Sequence, residues 1–186
     1  HSDVNSLYPS IMLEYKLLTR NSKEPKKFKE VYDERLALKA IGEKKKQKSL
    51  KIVLNSQYGI MGDVNSNAYD IRNCRMVCIT GQLLIITLLE KLEPYITLIQ
   101  SNTDGIIYTI NDEEKDHDTV FNIIHEWEKS TRLGFATDTI DWIEQGTVNG
   151  YIFKFSNGEY ERKGKYLKEN NELDNDLPIV NEAMVE

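Results

Sequence analysis

A single carboxylate stands at the tip of a predicted hairpin. Asp104 lies in the turn of residues 101–105 (SNTDG), between apolar runs at residues 95–99 and 106–110 whose β-branched and aromatic content predicts strands. We expect Gly105 to supply the permissive backbone of the turn. A carboxylate held at a rigid hairpin tip faces solvent and suits a catalytic metal site. The alternative is an ordinary turn, whose Asn and Asp side chains bond only to their own backbone.

A second aspartate, Asp3, lies at the end of another predicted strand and close to a helix start. Residues 1–5 read as the end of a strand, and Pro9 is typical of an opening helical turn because its missing N–H would have no partner there. Free backbone N–H groups at such a helix start favour a bound anion, for example a triphosphate.

The segment of residues 20–51 is strongly basic on an otherwise acidic chain. It holds 12 of the 24 Lys and Arg residues but 5 of the 30 Asp and Glu residues, although the whole chain of 186 residues carries a net charge of −6. Such a segment suits contact with phosphate, and a solvated pair of charged helices is the alternative.

Two helices are predicted within and just after this basic segment. The pattern favours a loop over residues 20–30 and helices over residues 31–42 and 43–58, with Arg35 and Lys39 on one face of the first helix. A polar stripe is expected on the second helix, at Lys44, Gln47, Lys51, Asn55 and Tyr58.

The remainder of the chain predicts one long apolar helix followed by mixed structure. Residues 70–92 favour the long helix, on which a sheet would pack. Residues 112–118 favour an acidic loop, residues 120–131 an amphipathic helix, and residues 138–155 strands. The apolar side of the amphipathic helix is expected at Phe121, Ile124 and Trp127. Residues 156–159 (SNGE) predict a tight hairpin turn.

Composition predicts one ordinary domain, with or without a protruding subdomain, in the cytoplasm. Hydrophobic residues make up 40% of the chain, but no apolar run approaches the roughly 18 residues of a membrane span, and we expect neither a signal peptide nor a membrane partner. Cys74 and Cys78 are four residues apart in a predicted helix. Two ligands do not make a zinc site, so reduced thiols of an intracellular protein are expected.

Three blocks of residues stand in order along the chain: residues 3–10 (DVNSLYPS), 51–59 (KIVLNSQYG) and 102–105 (NTDG). Together they resemble motifs A, B and C of the family B DNA polymerases. Residues 69–72 (YDIR) and 80–83 (TGQL) are similar to stretches of the phage-type members, and so is the late run RKGKY at residues 162–166. The resemblance covers nearly the whole chain.

The resemblance implies an α+β fold, made of the palm and fingers of a polymerase. An antiparallel palm sheet would carry Asp3 and Asp104 side by side, backed by the helix of residues 70–92. The implied division is palm at residues 1–19, a helical-hairpin fingers subdomain at 20–58, palm again at 59–178, and the start of the thumb at 179–186. The exonuclease and thumb domains of a parent chain would be partners. The isolated chain would then be marginally stable.

The implied activity is template-directed addition of a dNTP to a primer 3′-OH with two Mg²⁺ ions, or with Mn²⁺ in their place. Asp3 and Asp104 would be the catalytic carboxylates and would hold both ions, with the Val4 carbonyl as a further ligand.

The resemblance places the nucleotide against Ser6 and Leu7 N–H groups, Tyr8, Arg35, Lys39, Lys51 and Asn55. Tyr8 would stack under the deoxyribose and exclude a 2′-hydroxyl. Tyr58 and Gly59 would border the new base pair, and Lys163, Lys165 and Tyr166 would contact the primer of the primer–template DNA.

Two positions depart from the family pattern. Motif C usually has an aspartate where Asn102 precedes Thr103 and Asp104, and Gly164 interrupts the basic run of the primer motif. Asn102 removes one negative charge, which weakens metal affinity or shifts preference towards Mn²⁺. One alternative is therefore a catalytically inactive, polymerase-like DNA-binding module. Another is an RNA-directed or ribonucleotide-using polymerase of similar palm, against which Tyr8 argues.

Overall fold

The computed structural model describes residues 1–22, 24–147 and 149–164, leaving aside the side chain of Lys44. Five helices lie in this part: α1 Leu7–Glu14, α2 Pro25–Ala40, α3 Lys44–Gly62, α4 Ile71–Leu92 and α5 Glu113–Thr131. Its strands are β1 Ser2–Val4, β2 Ile96–Ser101, β3 Gly105–Ile110, β4 Phe135–Thr137, β5 Ile140–Thr147, β6 Gly150–Phe155 and β7 Tyr160–Lys163. This mixture of helices and antiparallel hairpins confirms the α+β class. No helix of the described residues has the length and apolar character needed to cross a membrane.

The described chain divides into two compact units, residues 3–136 and residues 1–2 together with 137–164. One sheet has the strand order β2-β3-β1-β4, and its β2–β3 pair is antiparallel with a register shift between Leu98 and Gln100. The other sheet has the order β5-β6-β7 and is antiparallel throughout. Its last turn contains Gly158 at φ +87°, which confirms the predicted Asn-Gly hairpin.

Helix α4 confirms the long helix predicted for residues 70–92. Asp70 caps it by accepting a hydrogen bond from the backbone N–H of Asn73. One face is buried in the core, at Val77, Ile85, Leu88 and Leu92. The opposite face carries Met76, Ile79, Leu83 and Ile86, which are 42–56% exposed. Apolar content therefore predicted the helix correctly but not which of its apolar residues would be buried.

Helix α1 packs closely on α4 at a glycine. A Cβ built on Gly81 would lie 3.3 Å from side-chain atoms of both Leu7 and Ile11. The absence of a side chain at this position therefore allows α1, which follows β1 directly, to approach the core helix. The segment around Asp3 is in this way connected to a helix that buries one face in the core of the unit of residues 3–136.

The predicted starts of two helices were wrong, and the helix predicted over residues 43–58 extends four residues further, because α3 ends at Gly62. Helix α2 begins at Pro25, so the loop expected over residues 20–30 ends sooner, and proline occupies the first helical turn, where it is tolerated. Helix α5 begins at Glu113, so the acidic loop expected over residues 112–118 is mostly helix. Asp112 caps α5, and the acidic residues of its first turn interact favourably with the helix dipole.

Two predictions about single residues were also wrong. Gly105 is the first residue of β3 rather than a turn residue. Phe121 is 39% exposed, whereas Ile124 and Trp127 of the same helix are buried. The buried stripe of α5 runs through Val120, Ile124 and Trp127, so Phe121 lies beside the stripe and not on it.

Candidate active site

A pocket of about 360 Å³ in the unit of residues 3–136 is lined by four separate stretches of the chain. Its lining residues are Asp3, Val4, Asn5, Ser6, Leu7, Tyr8, Arg35, Lys39, Lys51, Asn55, Thr103 and Asp104. The structure thus brings together every residue that the sequence assigned to metal or nucleotide binding. Asn5 is the one lining residue that the sequence did not predict as a site residue, although its neighbours Val4 and Ser6 were both predicted.

Asp3 belongs to β1, and Asp104 is the turn residue that directly precedes the neighbouring strand β3. Strands β3 and β1 are adjacent in the sheet, and the Val4 N–H donates a 2.7 Å hydrogen bond to the Asp104 carbonyl oxygen. On the other side, the Asn5 N–H donates to the Gly134 carbonyl oxygen at 2.8 Å. Backbone hydrogen bonds therefore fix the segment that carries Asp3 between the turn that carries Asp104 and the chain leading into β4.

The turn that carries Asp104 is closed by its own hydrogen bonds. The Asn102 N–H donates to the Gly105 carbonyl oxygen at 2.8 Å, and the Asn102 Oδ1 accepts from Gln100 Nε2 at 2.7 Å. Thr103 and Asp104 line the pocket and are exposed. The side chain of Asn102 is thus engaged within the hairpin, at the position where the resembled motif has a carboxylate.

Helix α2 supplies two cations that bind the loop after β1. Arg35 Nη1 donates to Ser6 Oγ, and Lys39 Nζ donates to Asn5 Oδ1 at 2.7 Å. The two cations share a face of α2 because they are four residues apart, as the sequence predicted. Ser6 itself has φ 52° and ψ 51°, a left-handed conformation that is uncommon for a residue other than glycine.

Arg35 is the most deeply buried cation of the pocket. It is 6% exposed, and its buried Nε makes no hydrogen bond within the described residues. Burial lowers the pKa of its guanidinium, but an arginine stays charged at any working pH. A buried, charged donor without a partner carries a large desolvation cost, and an anion in the pocket would relieve it.

Tyr8 forms one wall of the pocket and stacks on Tyr58 of α3. The two ring centroids are 4.4 Å apart, and the ring planes are inclined by 36°. Burial, aided by a hydrogen bond with Cys78, raises the pKa of Tyr8 to about 12. The same causes raise the pKa of Tyr58 above its ordinary value. Tyr8 is therefore a neutral phenol at any working pH and does not repel a bound anion.

Of the remaining predicted site residues, those that the structure describes do not line the pocket. Tyr58 does not line the pocket but stacks on Tyr8, which does. Gly59 is an exposed residue of α3, and a Cβ built on it would meet no atom within 4 Å. Lys163 belongs to β7 in the other compact unit, where its Nζ lies 5.7 Å from the centroid of the Tyr151 ring. Lys165, Tyr166 and the expected thumb at residues 179–186 lie outside the described residues.

The donor set of the pocket suits a hard cation only together with an anionic ligand. Within the described residues, no group of three or more His, Cys, Asp and Glu side chains could hold a metal ion. Asp3 and Asp104 provide two carboxylates at one pocket, and Val4 adds a backbone carbonyl. Magnesium takes oxygen ligands and usually completes its shell with phosphate oxygens and water. Two carboxylates beside three cations therefore fit a magnesium–phosphate ligand.

A scan against models of known protein families finds no match, and a search of curated proteins finds no significant relative. The residues of the pocket and their geometry therefore carry the functional conclusion.

Proposed function

We propose that this chain is the nucleotidyl-transfer core of a DNA-directed DNA polymerase of family B, with a palm around the sheet β2-β3-β1-β4 and fingers formed by α2 and α3. The observation that carries the proposal is the composition of the pocket. Residues of all three resembling blocks line it, although these blocks are far apart in the sequence. Two carboxylates, three cations and one aromatic wall are the groups that a metal-bound nucleoside triphosphate requires.

In the proposed reaction the 3′-oxygen of a primer attacks the α-phosphorus of a dNTP. A new O–P bond forms, the bond between the α-phosphorus and the bridging oxygen breaks, and pyrophosphate leaves. The proton of the 3′-hydroxyl passes to solvent. Asp3 and Asp104 would hold the magnesium ions, which would supply Lewis-acid stabilisation of the negative charge on the reacting oxygens.

The cations of the pocket bind the triphosphate. Lys51 and Lys39 line the pocket from α3 and α2, and Arg35, which also lines it, has a buried Nε with no hydrogen-bond partner among the described residues. Charge-assisted hydrogen bonds to phosphate oxygens are about twice as strong as neutral ones. Backbone N–H groups at the start of α1 add further donors near Ser6 and Leu7. These groups hold the triphosphate while its α-phosphorus is attacked.

Tyr8 supplies sugar selectivity. Its ring lines the same pocket as Asp104 and is backed by the ring of Tyr58, so it cannot recede freely when a larger sugar enters. A ribose carries one hydroxyl more than a deoxyribose, and a fixed ring that occupies its place excludes it. The proposed substrate is therefore a dNTP rather than an rNTP.

Primer extension on a templated duplex tests the proposal. The intact protein is expected to add the dNTP that the template specifies, in the presence of Mg²⁺ or Mn²⁺. Asp104→Asn should lower the rate about 1,000-fold, because it removes a metal ligand worth several kcal/mol. Asp118→Asn is the matched control, since Asp118 is an exposed carboxylate of α5 outside the pocket, and it should retain full activity. No addition with either metal, by a folded protein that binds the duplex, would refute the proposal.

The second candidate is an inactive, polymerase-like DNA-binding module, and Asn102 is the observation that favours it. Its side chain is neutral and is hydrogen-bonded to Gln100, so it contributes no charge to a metal site. A titration with Mn²⁺, followed by the paramagnetic resonance signal of the free ion, separates the candidates. A catalytic core binds the ion in the presence of a dNTP and loses it in Asp104→Asn, whereas an inactive module shows no binding that depends on Asp104.

A further inference from the structure

One sulfur atom lies against both tyrosines that form the wall of the pocket. The Sγ atom of Cys78, on α4, is 2.7 Å from the Tyr58 hydroxyl oxygen and 3.8 Å from the Tyr8 hydroxyl oxygen. The two rings also stack on each other, with centroids 4.4 Å apart. Tyr8, Tyr58 and Cys78 therefore form a closed triad, contributed by α1, α3 and α4.

The two hydrogen bonds of the triad can run in one direction, from Tyr58 through Cys78 to Tyr8. The Tyr58 hydroxyl donates to the sulfur, and the thiol donates its single hydrogen to the Tyr8 oxygen. Both phenols keep their protons at any working pH, because burial and the contact with Cys78 raise their pKa values. Both phenols are thus neutral, and the Tyr8 hydroxyl hydrogen remains free to donate to another acceptor.

The helix that carries Cys78 is firmly anchored. Val77, the residue before Cys78, is fully buried in the core, and Gly81 packs directly against Leu7 and Ile11 of α1. The thiol therefore extends from a rigid support towards two rings that belong to other helices. Close packing of this kind restricts the rotation of the rings.

We infer that Cys78 is a positioning residue for sugar discrimination: its thiol holds the Tyr8 and Tyr58 rings as a pair, and so keeps Tyr8 where it excludes a ribose. This inference rests on the proposed function, under which Tyr8 lies beneath the sugar of the incoming nucleotide. Cys78 does not line the pocket, and it acts on the substrate only through Tyr8.

The test compares the incorporation of single dNTP and rNTP molecules by the intact protein and by two variants. Cys78→Ala is expected to lower the ratio of kcat/KM for dNTP over rNTP roughly 10-fold, mainly through faster rNTP incorporation. Cys78→Ser should restore most of the ratio, because a hydroxyl also donates and accepts a hydrogen bond. Val77→Ala is the control, since it creates a cavity on the same helix and should lower stability without changing the ratio.

An unchanged ratio in Cys78→Ala, or an equal change in Val77→Ala, would overturn the inference. Where Cys78→Ala does not fold, Cys78→Val, which keeps the bulk of the side chain but makes no hydrogen bond, takes its place in the comparison with Val77→Ala. A Cys78→Ser variant that has lost the ratio as fully as Cys78→Ala would also count against the inference.

A second measurement separates this inference from the proposed function. In protein labelled with 3-fluorotyrosine, the ¹⁹F resonances of Tyr8 and Tyr58 are assigned with Tyr8→Phe and Tyr58→Phe. Both should shift in Cys78→Ala and stay in place in Val77→Ala. If the wild-type protein adds no nucleotide, the proposed function and the role in sugar discrimination both fail. Unshifted resonances would instead refute the positioning of the rings, whatever the activity.

Discussion

The backbone N–H of Val4 donates a hydrogen bond to the carbonyl oxygen of Asp104. This bond joins the residue after Asp3 to Asp104 itself, so the two aspartates are linked through main-chain atoms alone. Substitution of either side chain leaves the bond in place. The hairpin is likewise closed by the main chain, from the Asn102 N–H to the Gly105 carbonyl oxygen. The side chains of the turn can therefore be exchanged to test chemistry without loss of its geometry.

Asn102→Asp should strengthen the use of magnesium. The variant restores a carboxylate next to Asp104 and adds one negative charge near the proposed metal ions. We expect the Mg²⁺ concentration that gives half-maximal primer extension to fall roughly 10-fold, with a smaller change for Mn²⁺. Asn102→Ala is the control, because it removes the acceptor of the hydrogen bond from Gln100, which an aspartate would keep, and adds no charge. The same fall in both variants would show that the added charge does not govern metal use.

Tyr8→Ala should admit ribonucleotides, whereas Tyr8→Phe should largely exclude them. Alanine removes the ring, while phenylalanine keeps the ring and the stacking on Tyr58 and loses only the hydroxyl near Cys78. We expect rNTP incorporation to rise on the order of 100-fold in the alanine variant, and by less than about 10-fold in the phenylalanine variant. Equal use of rNTP and dNTP by the unaltered protein would contradict the steric role of Tyr8.

Local signals predicted the elements that carry the site. The β-branched and aromatic content of residues 95–99 and 106–110 predicted the hairpin of Asp104, and the apolar content of residues 70–92 predicted α4. The start of α2 was missed because residues 26–30 are mainly charged and show no apolar period, although Pro25 is a helix-start signal. The start of α5 was missed for a related reason: its acidic first turn was interpreted as a loop, although it favours a helix N-terminus.

Contacts between distant residues could not be predicted from such local signals. The spacing of Arg35 and Lys39 indicated a shared face, but nothing in the sequence showed that this face would bind Ser6 and Asn5. The contact of Cys78 with Tyr8 and Tyr58 depends on how three helices pack. The resemblance to a polymerase family supplied the grouping of site residues, but it gave no role to Cys78.

Lys39→Ala should weaken nucleotide binding more than it changes the rate at saturation. Lys39 lines the pocket and donates to Asn5, whereas Lys29 of the same helix pairs with Asp33 away from the pocket. We expect the KM for dNTP to rise about 10-fold, as for the loss of one hydrogen bond to a charged group, while Lys29→Ala leaves it unchanged. Lys39→Arg should retain most of the affinity. A KM that rises equally in Lys29→Ala would point to a general effect of charge.

Asp70→Ala should destabilise the fold without altering the pocket. The side chain of Asp70 is 1% exposed and accepts two 2.8 Å hydrogen bonds from the Arg20 guanidinium. It also caps α4 through the Asn73 N–H. Loss of the cap and of these bonds should lower the free energy of unfolding by about 2 kcal/mol, measured by urea denaturation. Asp70→Asn should lose less, because asparagine is also a good N-cap. Equal losses would assign the whole effect to the ion pair.

The contribution of Asp70 should also depend on pH. Hydrogen bonds from the Arg20 side chain hold the pKa of the Asp70 carboxyl well below its usual range. A carboxyl whose pKa is lower in the folded state stabilises the fold above its unfolded pKa of about 3.9, and this contribution is lost as the pH falls below that value. The stability difference between the wild-type protein and Asp70→Asn should therefore be constant from about pH 7 to pH 5 and shrink towards pH 3. A difference that is the same at pH 3 and pH 7 would show that Asp70 acts through its cap alone.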